Sequence, residues 1–177
     1  MKKIGIFDPY LDDCGGGEKY MISIASFLSE KYDVSVFWDN PADLDAVAAR
    51  FSLDISKITV LPNIFSSHTS TTARLRKTKK FHSIIFLSDG SIPLVSSRLY
   101  LHIQRPLQHV SLGFMSKIKM KRVGKIFCNS EYTKKYIDKT FKVSSQVVYP
   151  PVELHPKKAK KENIILGCIN CYDDVFG

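Results

Sequence analysis

Short apolar runs alternate with amphipathic segments along most of this chain, and that alternation restricts the fold more than any other feature of the sequence. Ile4-Gly5-Ile6-Phe7, Val34-Ser35-Val36-Phe37-Trp38 and Ile58-Thr59-Val60-Leu61 read as buried strands. So do Ser83-Ile84-Ile85-Phe86-Leu87, Leu99-Tyr100-Leu101-His102-Ile103, Ile126-Phe127-Cys128 and Gln146-Val147-Val148-Tyr149. Each is too short for a helix, and most are closed by Pro, Asp or Gly. Between them, Tyr20, Met21, Ile24, Ala25 and Leu28 recur near the helical period, with Lys19, Ser23, Ser26 and Glu30 on the other face. Leu44, Val47, Ala48 and Phe51 repeat the pattern after Asn40-Pro41, a turn and helix start. The basic stretch 74–80 is predicted helical, and Asn129-Ser130-Glu131 caps a helix holding Tyr132, Tyr136, Ile137 and Phe141. Alternation of this kind predicts an α/β fold, a Rossmann-like parallel sheet with helices on both faces. Ligands of such sheets bind beyond the carboxyl ends of the strands. The loops to search are therefore 8–17, 38–40, 88–91, 102–106 and 129–131.

The first of these loops carries Gly15-Gly16-Gly17-Glu18 between a strand and an amphipathic helix. That order points free N–H groups and a positive helix end at an anion. Glycines also let a phosphate approach the main chain closely. A flexible turn is the plainer reading. The spacing is not the G-x-G-x-x-G of dinucleotide enzymes, so NAD is disfavoured.

With 177 residues the chain is long enough for one α/β domain and tight for two. Its net charge of +9 favours anionic partners: nucleic acid, acidic lipid or a phosphorylated substrate. No apolar run approaches the roughly 20 residues needed to span a bilayer. Met1-Lys2-Lys3 mimics the start of a signal peptide, but Asp8, Asp12 and Asp13 interrupt it too early for an apolar core. A cytoplasmic protein is expected, with a possible peripheral place at the inner membrane face. Cys14, Cys128, Cys168 and Cys171 show no disulfide framework, and the lone C-x-x-C at 168–171 lacks further ligands for zinc.

Composition changes after Pro151. Residues 1–152 read as one Rossmann-like domain, 153–163 as a basic linker led by lysines, and 164–177 as a stub whose Ile164-Ile165-Leu166 opens a further, missing domain. The exposed edges of such a chain are expected to invite self-association.

Taken together and in order, several of these pieces resemble the amino-terminal half of a family 4 glycosyltransferase, which has the two-domain GT-B fold. They are the Gly-Gly-Gly-Glu loop, Asp89-Gly90 after Phe86-Leu87, His102 and Pro106, and Asn129-Ser130-Glu131-Tyr132-Thr133 opening a helix. Val148-Tyr149-Pro150-Pro151-Val152-Glu153 completes the set. The resemblance implies hexosyl transfer from a nucleoside-diphosphate sugar to a carbohydrate or lipid-linked acceptor, with retention at the anomeric carbon. It implies that this half supplies the acceptor side, and that a carboxy-terminal domain or a partner chain holds most of the donor. Where the family continues from its linker strand into Gly-Arg, this chain reads Gly167-Cys168. No cofactor and no metal is expected.

The same resemblance sets Gly15, Gly16, Gly17 and Glu18 toward the donor diphosphate, and His102 toward the reacting sugar or acceptor. A histidine there can donate a hydrogen bond to a hydroxyl or a phosphate near neutral pH; its plainer reading is a partly buried strand histidine bonded to a backbone carbonyl. Asp89 and Gly90, with Asn129 and Ser130, would border the acceptor. Asp89 can equally cap a following short helix, and Asn129 or Ser130 the helix after the sixth strand. Asp43-Leu44-Asp45 matches a metal-binding D-x-D triplet, but two residues apart on a helix point to different sides, so a solvated face is expected. The basic runs 74–80 and 117–122 read first as solvated faces. Phe114, Met115, Ile118 and Met120 around the second run would also suit an anionic membrane. The alternative to an enzyme is a non-catalytic basic module binding nucleic acid or membrane; aromatics only flank the basic runs, so nucleic acid is not expected.

Overall fold

The computed structural model describes residues 1–107 and 113–152. Seven strands form a single sheet: β1 (Lys3–Phe7), β2 (Asp33–Phe37), β3 (Ile58–Leu61), β4 (Ser83–Leu87), β5 (Arg98–Ile103), β6 (Val123–Cys128) and β7 (Gln146–Val147). Every pairing is parallel, in the order β3-β2-β1-β4-β5-β6-β7. The helices are α1 (Gly16–Ser29), α2 (Pro41–Phe51), α3 (Thr71–Thr78), α4 (Phe114–Met120) and α5 (Glu131–Phe141). The class is therefore α/β and Rossmann-like. The chain steps outward from β1 to β3, then crosses back to β4, so strand order reverses between β1 and β4. A doubly wound sheet opens its binding crevice at that point.

Alternation along the strands divides the core in two. Ile4, Ile6, Val34 and Val36 point to one face and pack with Met21, Ile22 and Ala25 of α1 and Leu44 and Val47 of α2. Phe7, Phe37, Ile84, Phe86, Leu99, Leu101 and Ile126 point to the other and meet Ile137 and Phe141 of α5. The second face is aromatic around Phe65, whose ring lies 4.8 Å from Phe7, 5.5 Å from Phe37 and 5.2 Å from Phe86. Gly5 makes room for this cluster: a Cβ there would stand 2.5 Å from the Phe37 ring and 2.6 Å from Ile84 Cδ1. Gly5→Ala should therefore cost about 1–3 kcal/mol by overpacking, read as a lower urea midpoint with an unchanged slope.

Three of the helix starts have local reasons. Asn40 Oδ1 accepts from Ala42 N–H ahead of Pro41, Ser70 Oγ from Ala73 N–H, and Ser130 Oγ from Thr133 N–H. Two expectations need correction. Gly16 and Gly17 are the first turn of α1 rather than a loop before it, because a short 3-10 turn at Leu11–Asp13 has already redirected the chain. No helix follows Asp89; residues 88–97 are loop. The linker 153–163, the stub 164–177 with Cys168 and Cys171, and residues 108–112 lie outside the described residues. Among the described residues no helix is long and apolar enough to cross a membrane.

Candidate functional site at the carboxyl ends of the strands

The α1 N-terminus already has an anion of its own. Glu18 Oε2 accepts the Gly15 N–H at 2.6 Å, and the residue is only 6% exposed. This is half of a capping box; Gly15 has no side chain to supply the other half. A Cβ on Gly15 would stand 2.8 Å from that carboxylate, and one on Gly17 would stand 2.6 Å from Gln104 Oε1. At Gly16 nothing lies within 4 Å. Of the three glycines, Gly16 is the exposed one, with open space where a side chain would stand.

Gln104, just past β5, joins three elements. Its side-chain amide donates to Gly17 O at 3.2 Å and lies 3.5 Å from His102 Nδ1. Its own carbonyl accepts from Asn129 Nδ2 at 2.8 Å. Asn129 Oδ1 in turn accepts from Thr133 Oγ1 at 2.8 Å and from Ser130 Oγ at 3.3 Å. Asn129 and Ser130 are thus committed to building the start of α5. Because Gly17 O requires the amide nitrogen on that side, His102 Nδ1 is the acceptor and its proton sits on Nε2.

His102 is 1% exposed, with the Tyr20 ring edge-on at 4.7 Å. Burial pushes its pKa down to about 4, so the ring is neutral at physiological pH. Nε2 is buried and has no protein partner among the described residues. Among the described residues the plainer expectation, a bond from the ring to a backbone carbonyl, is not met, and the ring's one partner there is the Gln104 amide. The His102 carbonyl accepts from Ser88 N–H at 2.8 Å, tying the β4 loop to the same unit.

Asp8 ends β1 and is 1% exposed. Burial pushes its pKa up to about 7; the Tyr10 N–H bond opposes this, and the charges of Glu18, Asp13 and Asp12 add to it. Oδ1 takes the Tyr10 N–H at 3.0 Å, while Oδ2 has no partner among the described residues. Asp89, by contrast, is exposed and folds its own turn: Oδ1 accepts from Ser91 N–H at 3.2 Å and from Ser91 Oγ at 2.9 Å. Gly90 follows at φ 114°, a conformation that calls for glycine.

The D-x-D triplet splits as its helical spacing requires. Asp45 faces solvent, but Asp43 does not simply do so: its carboxylate accepts from Trp38 Nε1 at 2.6 Å and from Asn40 Nδ2 at 2.8 Å.

Beside His102 an apolar groove of about 440 Å³ runs between α1 and the end of β7, floored by Ile85 and Phe127. Tyr20 spans it, donating its hydroxyl to Val148 O; burial raises its phenol to about 12, which keeps that proton in place. Phe27 and Tyr149 on its rim are 67% and 66% exposed. Apolar exposure of this extent should drive self-association. Sedimentation of the full chain is expected to show concentration-dependent species that Phe27→Lys shifts toward monomer.

Gln104 and Asp8 are the site residues that motif reading did not single out. Asp8 carries a visible signal, an acid closing a buried strand. Gln104 carries none, since its role depends on which strands become neighbours. No protein-family model matches the chain, and no curated protein matches it. The Rossmann-like class stands on the sheet alone.

Proposed function

We propose that residues 1–152 form the acceptor-side domain of a retaining GT-B glycosyltransferase that moves a hexosyl group from a nucleoside-diphosphate sugar to a carbohydrate or lipid-linked acceptor. The observation that carries this reading is the Gln104 junction, which bonds the glycine turn, His102 and the Asn129 helix start into one unit at the strand ends. Those are three of the five sequence pieces on which the family resemblance rests, brought together across a sheet in which β4 separates β1 from β5. In this reading Gly16 and the α1 N-terminus face the donor diphosphate, whose charge grows as it leaves. The Glu18 carboxylate orders that terminus and limits how much negative charge it can attract. Neutral His102 holds a single N–H toward the reacting sugar, Asp89 and Gly90 border the acceptor, and Asn129 and Ser130 position the wall behind it. The donor-binding domain comes from outside residues 1–152. The site works at a cytoplasmic membrane face, and α4 supports this, with Phe114 and Met115 exposed beside Lys117.

The test supplies a GT-B donor domain in trans to the full chain, with a panel of nucleoside-diphosphate sugars and free or lipid-linked acceptors. Transfer with retained anomeric configuration, read by NMR, is expected, and His102→Ala should lower it at least about tenfold. Absence of transfer across the panel, with steep salt-dependent binding to nucleic acid instead, would overturn the reading.

A further inference from the structure

The two basic runs meet at one cavity. Arg74 of α3 and Lys119 of α4 both line a space of about 210 Å³ walled by Phe65, Phe86 and the β4–β5 loop. Among the described residues no carboxylate lines it. Arg74 is held rigidly: Nε donates to Ile64 O at 2.9 Å, Nη2 reaches Ser66 O and Thr69 O, and the guanidinium lies over the Phe65 ring. All those hydrogen-bond partners are neutral carbonyls, and Nη1 has no partner among the described residues. A guanidinium partly withdrawn from water without a counter-charge is incompletely compensated. Lys119 is half-buried and forms no ion pair among the described residues, where the pairs present are Lys3–Asp33 and Lys134–Asp138. Thr71 opens α3 at the same cavity, in a first turn that carries no acid.

We propose that this cavity binds a phosphomonoester, with Arg74 and Lys119 as its two cations. Such a group carries close to two negative charges at neutral pH, which match two cations; a carboxylate would leave one unbalanced. Arg74 Nη1, the nitrogen not committed to a carbonyl, offers charged N–H groups to a phosphate oxygen, and Lys119 supplies a mobile point charge. The aromatic walls favour a body attached to the phosphate over the bare ion. Asp89 brings an opposing charge to the cavity wall through its bonds to Ser91. The proposal does not depend on the glycosyltransferase reading.

Calorimetric titration of the full chain with phenyl phosphate tests it, beside sedimentation with vesicles containing phosphatidic acid or phosphatidylglycerol. Saturable binding of one equivalent is expected, weakened at least about tenfold by Lys119→Met and changed less than about twofold by Lys121→Met, a cation of the same run outside the cavity. Asp89→Asn should tighten it. Arg74 also holds the 64–69 loop, so Lys119 carries the test if Arg74→Lys fails to fold. Binding of phenyl phosphate assigns a soluble ligand. A preference for phosphatidic acid over phosphatidylglycerol, lost in Lys119→Met, assigns a lipid headgroup in the same cavity. No saturable binding in either arm overturns the proposal, as does equal weakening by Lys119→Met and Lys121→Met.

Discussion

Asparagine in place of Asp8 should make the fold acid-sensitive, and glutamine in place of His102 should make it alkali-sensitive, although the parent chain responds little to pH between about 4.5 and 6.5. The reason is a cancellation. Asp8 is pushed up from 3.8 to about 7 by burial, so the native state keeps a proton that the unfolded chain has released. Its contribution to stability is complete below 3.8 and is lost as pH rises toward 7. His102 is pushed down from 6.5 to about 4, again by burial, so the unfolded chain takes up a proton that the native state refuses. Its contribution is complete above 6.5 and is lost as pH falls toward 4. Between those limits each state holds one proton on this pair, on Asp8 when folded and on His102 when unfolded. The slopes therefore oppose one another.

Removing either group unmasks the other. At about 1.4 kcal/mol per pKa unit, Asp8→Asn should lose about 3 kcal/mol between pH 6.5 and 4, and His102→Gln about 4 kcal/mol between pH 4 and 7. At pH 8 the Asp8→Asn chain should also be the more stable, by about 1–3 kcal/mol. The relieved charge burial outweighs the unpaired amide hydrogens that asparagine puts where Oδ2 had no partner among the described residues. Urea midpoints across this pH range decide the matter. Flat profiles in both single variants would show that neither group is buried as described, and the double variant should return to a flat profile.

The strands were legible because parallel strands covered on both faces must be apolar along their length, and Ile4, Val34, Ile84 and Leu101 advertise this directly. The caps at Asn40, Ser70 and Ser130 were legible in principle for the same local reason, a side-chain oxygen reaching two or three residues ahead. Non-local pairings were not. Nothing near Gln104 signals that Gly17 will stand beside it once β4 is laid between β1 and β5. Nor does either basic run announce that one member of each, Arg74 and Lys119, will share a cavity while their neighbours face solvent. The glycine turn misled in a specific way. Three glycines suggested an open anion bed, yet Glu18 occupies one end and Gln104 the other.

Three alanines separate what holds that turn together from what it leaves open. Gln104→Ala removes the donor to Gly17 O and to His102 Nδ1, stranding two part-buried acceptors. The cost should be about 2–4 kcal/mol. Gly17→Ala reaches the same result from the other side: its Cβ would lie 2.6 Å from Gln104 Oε1 and drive the amide away. In the Gln104→Ala background that obstacle is gone, so the second substitution should cost at least about 1 kcal/mol less than it does alone. Additive costs would mean that the close approach is relieved without breaking the bond, and the junction would then contribute little. Gly16→Ala meets open space and replaces glycine at the first helical position, so stability should hold or rise by up to about 1 kcal/mol. Its effect belongs to the ligand. Under the transferase reading, a methyl group at this exposed glycine keeps a diphosphate at a distance. Transfer in the trans-supplied assay should then fall at least about tenfold while the urea midpoint does not. Equal activity from Gly16→Ala and the parent would place the donor elsewhere, leaving α1 with Glu18 as the sole anion at its N-terminus.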